Sequence, residues 1–235
     1  MKSEVIINNQ LIDAIIERPK HFYIDDALLS IYPASLGKTY LVARLIDSIG
    51  AGNLLAKKKP ETTAVSLCKI ARQDVIRIIS LYTVKNKDDH FDESLLKSRD
   101  ELIGSLDDKE LATLLLLLLN DDNTDSFIKH YGIDKEKHLV QRIVRHKRDN
   151  GNLSFGGMTV YGTLIDSACE RYGWTFDYVV WGLSYTNLRM LTADAPVSMY
   201  LSKEDMKKLH ISADREVISA SDPKNFEKIR KMLEE

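Results

Sequence analysis

The stretch "HFYIDDALLSIYPASLGKTYLVARLI", residues 21–46, joins two kinds of hydrophobic pattern. Two short apolar and aromatic runs flank Asp25-Asp26, and this arrangement predicts a small β-hairpin. Pro33 ends the second run, and Ser35 then stands at the position of an N-cap before an apolar run with helical spacing. The stretch therefore predicts a hairpin that leads directly into a helix.

The triplet Gly37-Lys38-Thr39 looks like the end of a nucleotide-binding loop, but its context differs. Such a loop needs a glycine five residues before Gly37, because that glycine opens the wide turn whose amides hold the phosphates. Tyr32 occupies this position, and Pro33 lacks an amide hydrogen. We therefore predict that Gly37 lies in the first turn of a helix. Lys38 is expected to be a surface or partner-facing charge, not a phosphate ligand.

The rest of the chain has mainly helical periodicity. Predicted helices cover 4–17, 66–82, about 93–103, about 108–120, 134–148 and 160–172, with shorter ones that begin after Thr175, Ser184, Ser202 and Asp222. Residues 56–63 read as a polar linker. The predicted fold class is mainly α, a multi-helix, bundle-like protein with a small N-terminal β-hairpin. Its predicted regions are 1–56, 64–150 and 151–235, and the last two can form one continuous domain.

Composition excludes several classes of protein. The chain has 33 basic and 35 acidic residues among 235, and this near-neutral balance argues against a dedicated nucleic-acid binder. Cys68 and Cys169 make neither a disulfide framework nor a zinc site, and they read as reduced core residues. The N-terminus lacks a signal-peptide pattern, and Leu114–Leu119 is too short for a membrane span. These features predict a cytoplasmic protein.

Two patterns resemble metal sites but lack essential ligands. Residues 121–132 open like a calcium loop, yet Ser126 and Gly132 stand where the loop needs glycine and glutamate. His130, His138 and His146 recur every eight residues, which is about 80° out of phase on an α-helix. No catalytic set and no cofactor motif stands out. We therefore predict no enzyme activity, no cofactor and no metal site.

The predicted helix at 134–149 is basic. Six lysine or arginine residues oppose three acidic residues, and two histidines add to the basic character. Such a face can bind nucleic acid or an acidic protein partner, although it lacks aromatic residues for base stacking. A solvated helix face explains the pattern equally well.

The most distinctive segment is "YGTLIDSACERYGWTFDYVVWGLSYTNLRMLTADAP", residues 161–196. It predicts a helix, a break at Tyr172-Gly173, a short helix capped by Thr175 and a new helix from Ser184. This pattern resembles the C-terminal part of the tail assembly chaperones of long-tailed bacteriophages. The hairpin that leads into "LGK" and a helix resembles the N-terminal part of some of these proteins.

The resemblance implies a non-enzymatic chaperone that coats the tape-measure protein in the host cytoplasm while tail-tube subunits polymerise around it. The tape-measure protein is then the expected partner, and the tail-tube protein is a further candidate. Candidate partner-binding residues are Trp181, Tyr185, Met190, Met199, Arg142 and Arg145. Core packing is the alternative for the apolar ones. The alternative function is a nucleic-acid-associated or regulatory helical protein that uses the basic helix 134–149.

Overall fold

A computed structural model describes residues 2–50, 60–119, 123–148 and 157–211. These ranges are mainly helical, with one two-stranded antiparallel hairpin near the N-terminus, as the sequence predicts. In chain order the elements are α1 (Lys2–Ile15), β1 (Lys20–Ile24), β2 (Ala27–Ile31), α2 (Leu36–Ser48), α3 (Pro60–Ile70), α4 (Arg72–Tyr82), α5 (Glu93–Gly104), α6 (Asp108–Leu119), α7 (Thr124–His130), α8 (Ile133–Arg148), α9 (Asp166–Tyr172), α10 (Tyr185–Ala193) and α11 (Lys203–Leu209). Two π-helical turns, Tyr161–Ile165 and Tyr178–Gly182, precede α9 and α10, respectively.

The hairpin follows the predicted alternation of apolar residues. Its strands pair so that Ile24 faces Ala27 across the two-residue turn Asp25-Asp26, and Asp25 has a positive φ of 49°. Ile24, Leu29 and Ile31 lie in the core because successive residues of a strand face opposite sides. Tyr23 and Leu28, which pair on the other face, are exposed.

The predicted linker at 56–63 and the single predicted helix at 66–82 are wrong in the described residues. α3 begins at Pro60, where a missing amide hydrogen does not weaken a helix, and Thr63 is fully buried. Ala71 then separates α3 from α4 with φ −136° and ψ 49°. Apolar residues recur on both sides of this break, so periodicity alone does not reveal it. Residues 51–59 lie outside the described ranges.

The stretch 121–132, which opens like a calcium loop in the sequence, is mostly helical where the structure describes it. Residues 120–122 lie outside the described ranges, but α7 occupies Thr124–His130. Asp125, at the start of this helix, accepts a hydrogen bond from Arg189 at 2.7 Å. Phe127 is buried on the inner side of the same short helix. Tertiary packing of this aromatic ring explains why a polar sequence becomes helical.

Buried side chains of the hairpin and of α2 to α6 form the larger hydrophobic core. The leucine-rich helix α6 contributes Leu111, Ala112, Leu115 and Leu118, and it packs against α3 and α4. Leu117 on the same helix is 39% exposed. The helix is thus central on one side only, although its sequence is apolar on every side.

A smaller hydrophobic core joins the start of α2 to the C-terminal helices. It contains Leu36, Ile165, Ala168, Val179, Leu183 and Leu188. The predicted helix 160–172 contributes one face to this core, because Ile165 and Ala168 are buried and Leu164 and Tyr172 pack against them. Gly173 ends α9 in the left-handed conformation with φ 65°, at the predicted break.

The chain divides into two compact units. The first comprises Met1–Lys137 and Ser154–Ala195, and the second comprises His138–Leu153 and Pro196–Glu235. The predicted region boundaries near 56 and 150, and the predicted helix start at Asp222, lie outside the described residues. Within the described ranges, no helix is both long and apolar enough to cross a membrane.

Replacing Leu111 by alanine should lower the free energy of unfolding by about 2–5 kcal/mol, because the fully buried side chain would leave a cavity between helices. Leu117→Ala on the same helix should cost about 1 kcal/mol or less, because Leu117 is partly exposed. Chemical denaturation measures both changes. Equal losses for the two variants would contradict the burial of α6 described above.

Candidate functional site at the joint of the two motif stretches

The two distinctive sequence stretches meet in the first unit. Ser35 and Ser184 form an isolated antiparallel bridge, and the backbone N–H of Tyr185 donates to the Ala34 carbonyl at 2.7 Å. Each serine is also a helix N-cap: the hydroxyl of Ser35 accepts from the Lys38 amide and that of Ser184 accepts from the Asn187 amide. The starts of α2 and α10 are therefore held together by backbone pairing.

Glu17 reinforces this joint from the segment after α1. Its Oε1 accepts hydrogen bonds from the Ser184 amide at 2.6 Å and from the Asn187 side-chain amide at 3.2 Å. Glu17 itself has a positive φ of 51°. Such a backbone conformation is uncommon outside glycine, so the surrounding contacts must hold it.

Gly37 is required at the joint because the Trp181 indole lies directly against it. A Cβ atom added at Gly37 would lie 2.7 Å from three ring carbons of Trp181. The same indole has ring centroids of His90 and Phe91 at 5.4 Å and 5.8 Å. The glycine of the Gly-Lys-Thr triplet thus makes room for an aromatic ring, and the triplet lies within helix α2 rather than in a phosphate-binding loop.

The prediction that Lys38 is a surface charge is wrong. Lys38 is only 2% exposed, and its Nζ donates to the Val84 carbonyl at 2.9 Å, with the Tyr82 ring centroid 5.5 Å away. Burial lowers the pKa of Lys38 from 10.5 to about 7. The helical period offers a signal for this position, since Lys38 precedes the core residues Val42 and Leu45 by four and seven residues.

An open cleft of about 480 Å³ runs beside Lys38. Three lysines line it (Lys38, Lys85 and Lys87), together with the acids Glu17 and Asp177 and the rings of Tyr32, Tyr178 and Trp181. Lys87 pairs with Asp177 at 2.5 Å, and this hydrogen bond raises the pKa of Lys87. Glu17 accepts its hydrogen bonds from Ser184 and Asn187. Neither Glu17 nor Asp177 therefore pairs with Lys38.

His90 is a second buried polar group near the joint. Its Nδ1 lies 2.7 Å from the Asn86 carbonyl oxygen, and its Nε2 has no hydrogen-bond partner among the described residues. Burial, with a further contribution from Lys38, lowers the pKa of His90. The sequence offers no signal for this residue, because it lies in a polar loop pattern.

The six candidate partner-binding residues divide between the two units. Trp181, Tyr185 and Met190 are half-buried in the first unit, where Trp181 lines the cleft and Tyr185 packs against the smaller core. Met199, Arg142 and Arg145 belong to the second unit. Met199 is half-buried there, and both arginines are exposed.

Within the second unit, the basic helix holds the segment that contains α11. Arg142 donates to the Leu209 carbonyl at 3.0 Å, and Lys147 donates to the Tyr200 carbonyl at 2.5 Å. His146 Nε2 lies 2.8 Å from Asp205, whose pKa falls to about 2 because Ser202 and His146 hydrogen-bond to its carboxylate. The predicted cap Ser202 is confirmed by its bond from the Asp205 amide.

The first unit also exposes aromatic side chains that the sequence analysis did not select. Tyr161 and Phe176 are exposed and stack with ring centroids 6.3 Å apart and an interplanar angle of 16°. Tyr161 lies at the start of the predicted helix 160–172 and Phe176 directly after the cap Thr175, so the sequence assigns neither residue to a defined helix face. Their exposure depends on the packing of the π-helical turns.

No metal-binding cluster of three or more His, Cys, Asp or Glu side chains occurs in the parts of the chain that the structure describes. His130 and His138 are exposed, whereas His146 is half-buried and pairs with Asp205. Cys68 is buried in the larger core, where burial raises the pKa of its thiol, and Cys169 is half-buried beside the smaller one. Both cysteines are free. No protein-family model, curated protein or solved structure matches the chain.

Gly37→Ala should lower the free energy of unfolding by about 1–3 kcal/mol, because the new methyl group would overlap the Trp181 ring. Gly104→Ala is the matched control, since its Cβ would make only an ordinary 3.6 Å contact with Ile76. This control should be neutral or stabilise the protein by up to about 1 kcal/mol. Thermal and chemical denaturation measure the stability of both variants. A Gly37→Ala protein that is more stable than the wild type would contradict the close contact between Gly37 and Trp181.

The burial of Lys38 should make the stability of the protein depend on pH. Because the folded-state pKa lies near 7 and the unfolded value is 10.5, the unfolded chain binds more protons between these values. The free energy of unfolding contributed by Lys38 therefore rises from pH 7 to pH 10.5, by on the order of a few kcal/mol.

Lys38→Met removes this titration. Its advantage over the wild type should be largest at pH 7 and below, and should shrink as the pH approaches 10.5. Urea denaturation across this range measures the difference. Lys97→Met, at an exposed lysine, is the control for replacing a lysine by methionine outside the buried site. A Lys38→Met difference that does not change with pH would refute a neutral, buried Lys38.

Proposed function

We propose that the chain is a non-enzymatic tail assembly chaperone of a long-tailed bacteriophage, and that it binds the tape-measure protein in the host cytoplasm. One observation carries the proposal: the two stretches on which the resemblance rests form a single joint. Ser35 pairs with Ser184, and Gly37 receives the Trp181 ring. The two stretches are far apart in the sequence but contact each other in the structure. This contact supports treating them as parts of one structural unit rather than as two unrelated resemblances.

The exposed apolar side chains of the first unit support the same function. A tape-measure protein is long and helical, and a groove-binding partner helix is held through apolar anchors at i, i+3, i+4 and i+7. Tyr161 and Phe176 offer a stacked aromatic surface, and Met158 is 94% exposed. Aromatic and methionine side chains are typical of surfaces that bind apolar helices.

The alternative function, nucleic-acid binding or regulation through the basic helix, has less support. Arg142, His146 and Lys147 make hydrogen bonds within the second unit, so part of the basic face is already engaged. Arg145 is exposed. The alternative stays a prediction. A salt-dependent gel shift with nucleic acid that is lost in the Arg142→Ala and Arg145→Ala variants would support it.

Co-expression with the tape-measure protein tests the proposed chaperone function. The tape-measure protein should be soluble and co-purify with the chain, and should aggregate without it. The double variant Tyr161→Ser and Phe176→Ser should reduce the recovered complex about tenfold or more, because it removes two exposed aromatic contacts. Its own melting temperature should change little, because both rings are exposed.

The matched control is the double variant Tyr23→Ser and Leu28→Ser, which removes an equally exposed apolar pair from the hairpin. It should leave the recovered complex unchanged. A tape-measure protein that remains insoluble with the wild-type chain would refute the proposed function. Equal losses for both double variants would refute the aromatic contact surface.

A further inference from the structure

We propose that the cleft beside Lys38 binds a carboxylate side chain of an acidic protein segment, with Lys38 as its buried counter-charge. The proposal rests on the proposed function only in taking the partner to be a protein. It names a chemical requirement of that partner, an acidic residue flanked by apolar ones, which the resemblance does not supply.

Lys38 is the main reason. An ammonium group carries three N–H donors, and the described residues supply one acceptor, the Val84 carbonyl. None of the described carboxylates forms an ion pair with Lys38, although the side chain is almost completely buried. A buried cation without a counter-charge is costly, so a carboxylate that enters the cleft would be stabilised by the charge and by the unused donors.

The charges at the rim favour an anion over a cation. Lys85 is exposed, and its Nζ lies 6.0 Å from the Tyr32 ring centroid, without an ion-pair partner in the described ranges. The two acids of the cleft are engaged: Glu17 accepts two hydrogen bonds at the joint, and Asp177 pairs with Lys87. Two cations therefore remain available to a ligand, and no acid does.

The walls of the cleft favour a protein segment over a free inorganic anion. Tyr32, Tyr178 and Trp181 line it, together with Pro33 and the exposed Ile16. These side chains share the lining with polar residues such as Ser35, Asn86 and Thr175, and they gain free energy from apolar contacts that phosphate or sulfate cannot make. An acidic side chain on an apolar helix or strand satisfies both the buried cation and these walls.

Proton uptake is the signature that distinguishes this site from ordinary surface binding. In the free protein the pKa of Lys38 is about 7, so the amine is mostly neutral at about pH 8. A bound carboxylate favours the charged amine and raises that pKa. Binding at about pH 8 should therefore take up close to one proton per complex.

The experiment uses the full chain and two acetylated, amidated amphipathic peptides of about 15 residues, near the lower length at which an isolated helix forms in water. One peptide has leucine on one face and glutamate on the other, and the second has glutamine at each glutamate. Titration calorimetry at about pH 8, in two buffers with different ionisation enthalpies, measures affinity and proton uptake together. The glutamate peptide should bind more tightly and take up close to one proton.

Three variants locate the site. Lys38→Met should weaken the glutamate peptide about tenfold or more and abolish proton uptake, because it removes the buried member of the pair. Lys85→Gln, on the exposed rim, should weaken binding by about fivefold or less and leave proton uptake intact. Lys97→Gln, at an exposed lysine away from the cleft, should change neither quantity. If Lys38→Met fails to fold, proton uptake by the wild type and the Lys85→Gln affinity still decide the proposal.

Several results would overturn the inference. The first is equal affinity for the two peptides, and the second is absence of proton uptake by the wild type. The third is displacement of the glutamate peptide by millimolar inorganic phosphate with the same dependence on Lys38, because this result would indicate a site for free anions. The two proposals can fail separately. If the tape-measure protein co-purifies equally with the wild type and with Lys38→Met, the proposed carboxylate site in the cleft is overturned, but the chaperone function is not. Lys38-dependent binding of the glutamate peptide without tape-measure binding overturns the chaperone function alone.

Discussion

The contact between Gly37 and Trp181 is the constraint on which the first unit depends. The indole occupies the space where any residue larger than glycine at position 37 would place its side chain. Beside this contact, Ser35 lies opposite Ser184. Each serine then caps its own helix, so one joint sets the directions of α2 and α10. The smaller core forms behind it because Leu36 lies next to the joint and packs with Val179 and Leu188.

The same joint creates a conflict between stability and charge. A helix that places Gly37 under an indole also points Lys38, one residue later, into the interior. The Val84 carbonyl and the Tyr82 ring compensate only in part, and the lowered pKa of Lys38 expresses the remaining cost. Costs of this kind are typical of functional sites, where a group is held in an environment that a ligand completes.

Local signals in the sequence predicted the elements and their caps well. The hairpin turn at Asp25-Asp26, the caps Ser35, Ser184 and Ser202, and the break at Gly173 all depend on neighbouring residues, and each lies where it was expected. Two of the misses have the opposite property. The break at Ala71 and the helical state of Thr124–His130 depend on what packs against them, and a single sequence contains no record of those neighbours.

The amino-acid sequence by itself therefore determined a mainly helical chain with one hairpin, the positions of most caps, and the pattern of apolar faces. Only the tertiary structure decided that Gly37 makes room for Trp181, that Lys38 is buried, and that Lys38, Lys85 and Glu17 share a cleft. The physical reason is range: capping and periodicity act over one or two helical turns, whereas burial and charge pairing depend on residues far apart in the chain.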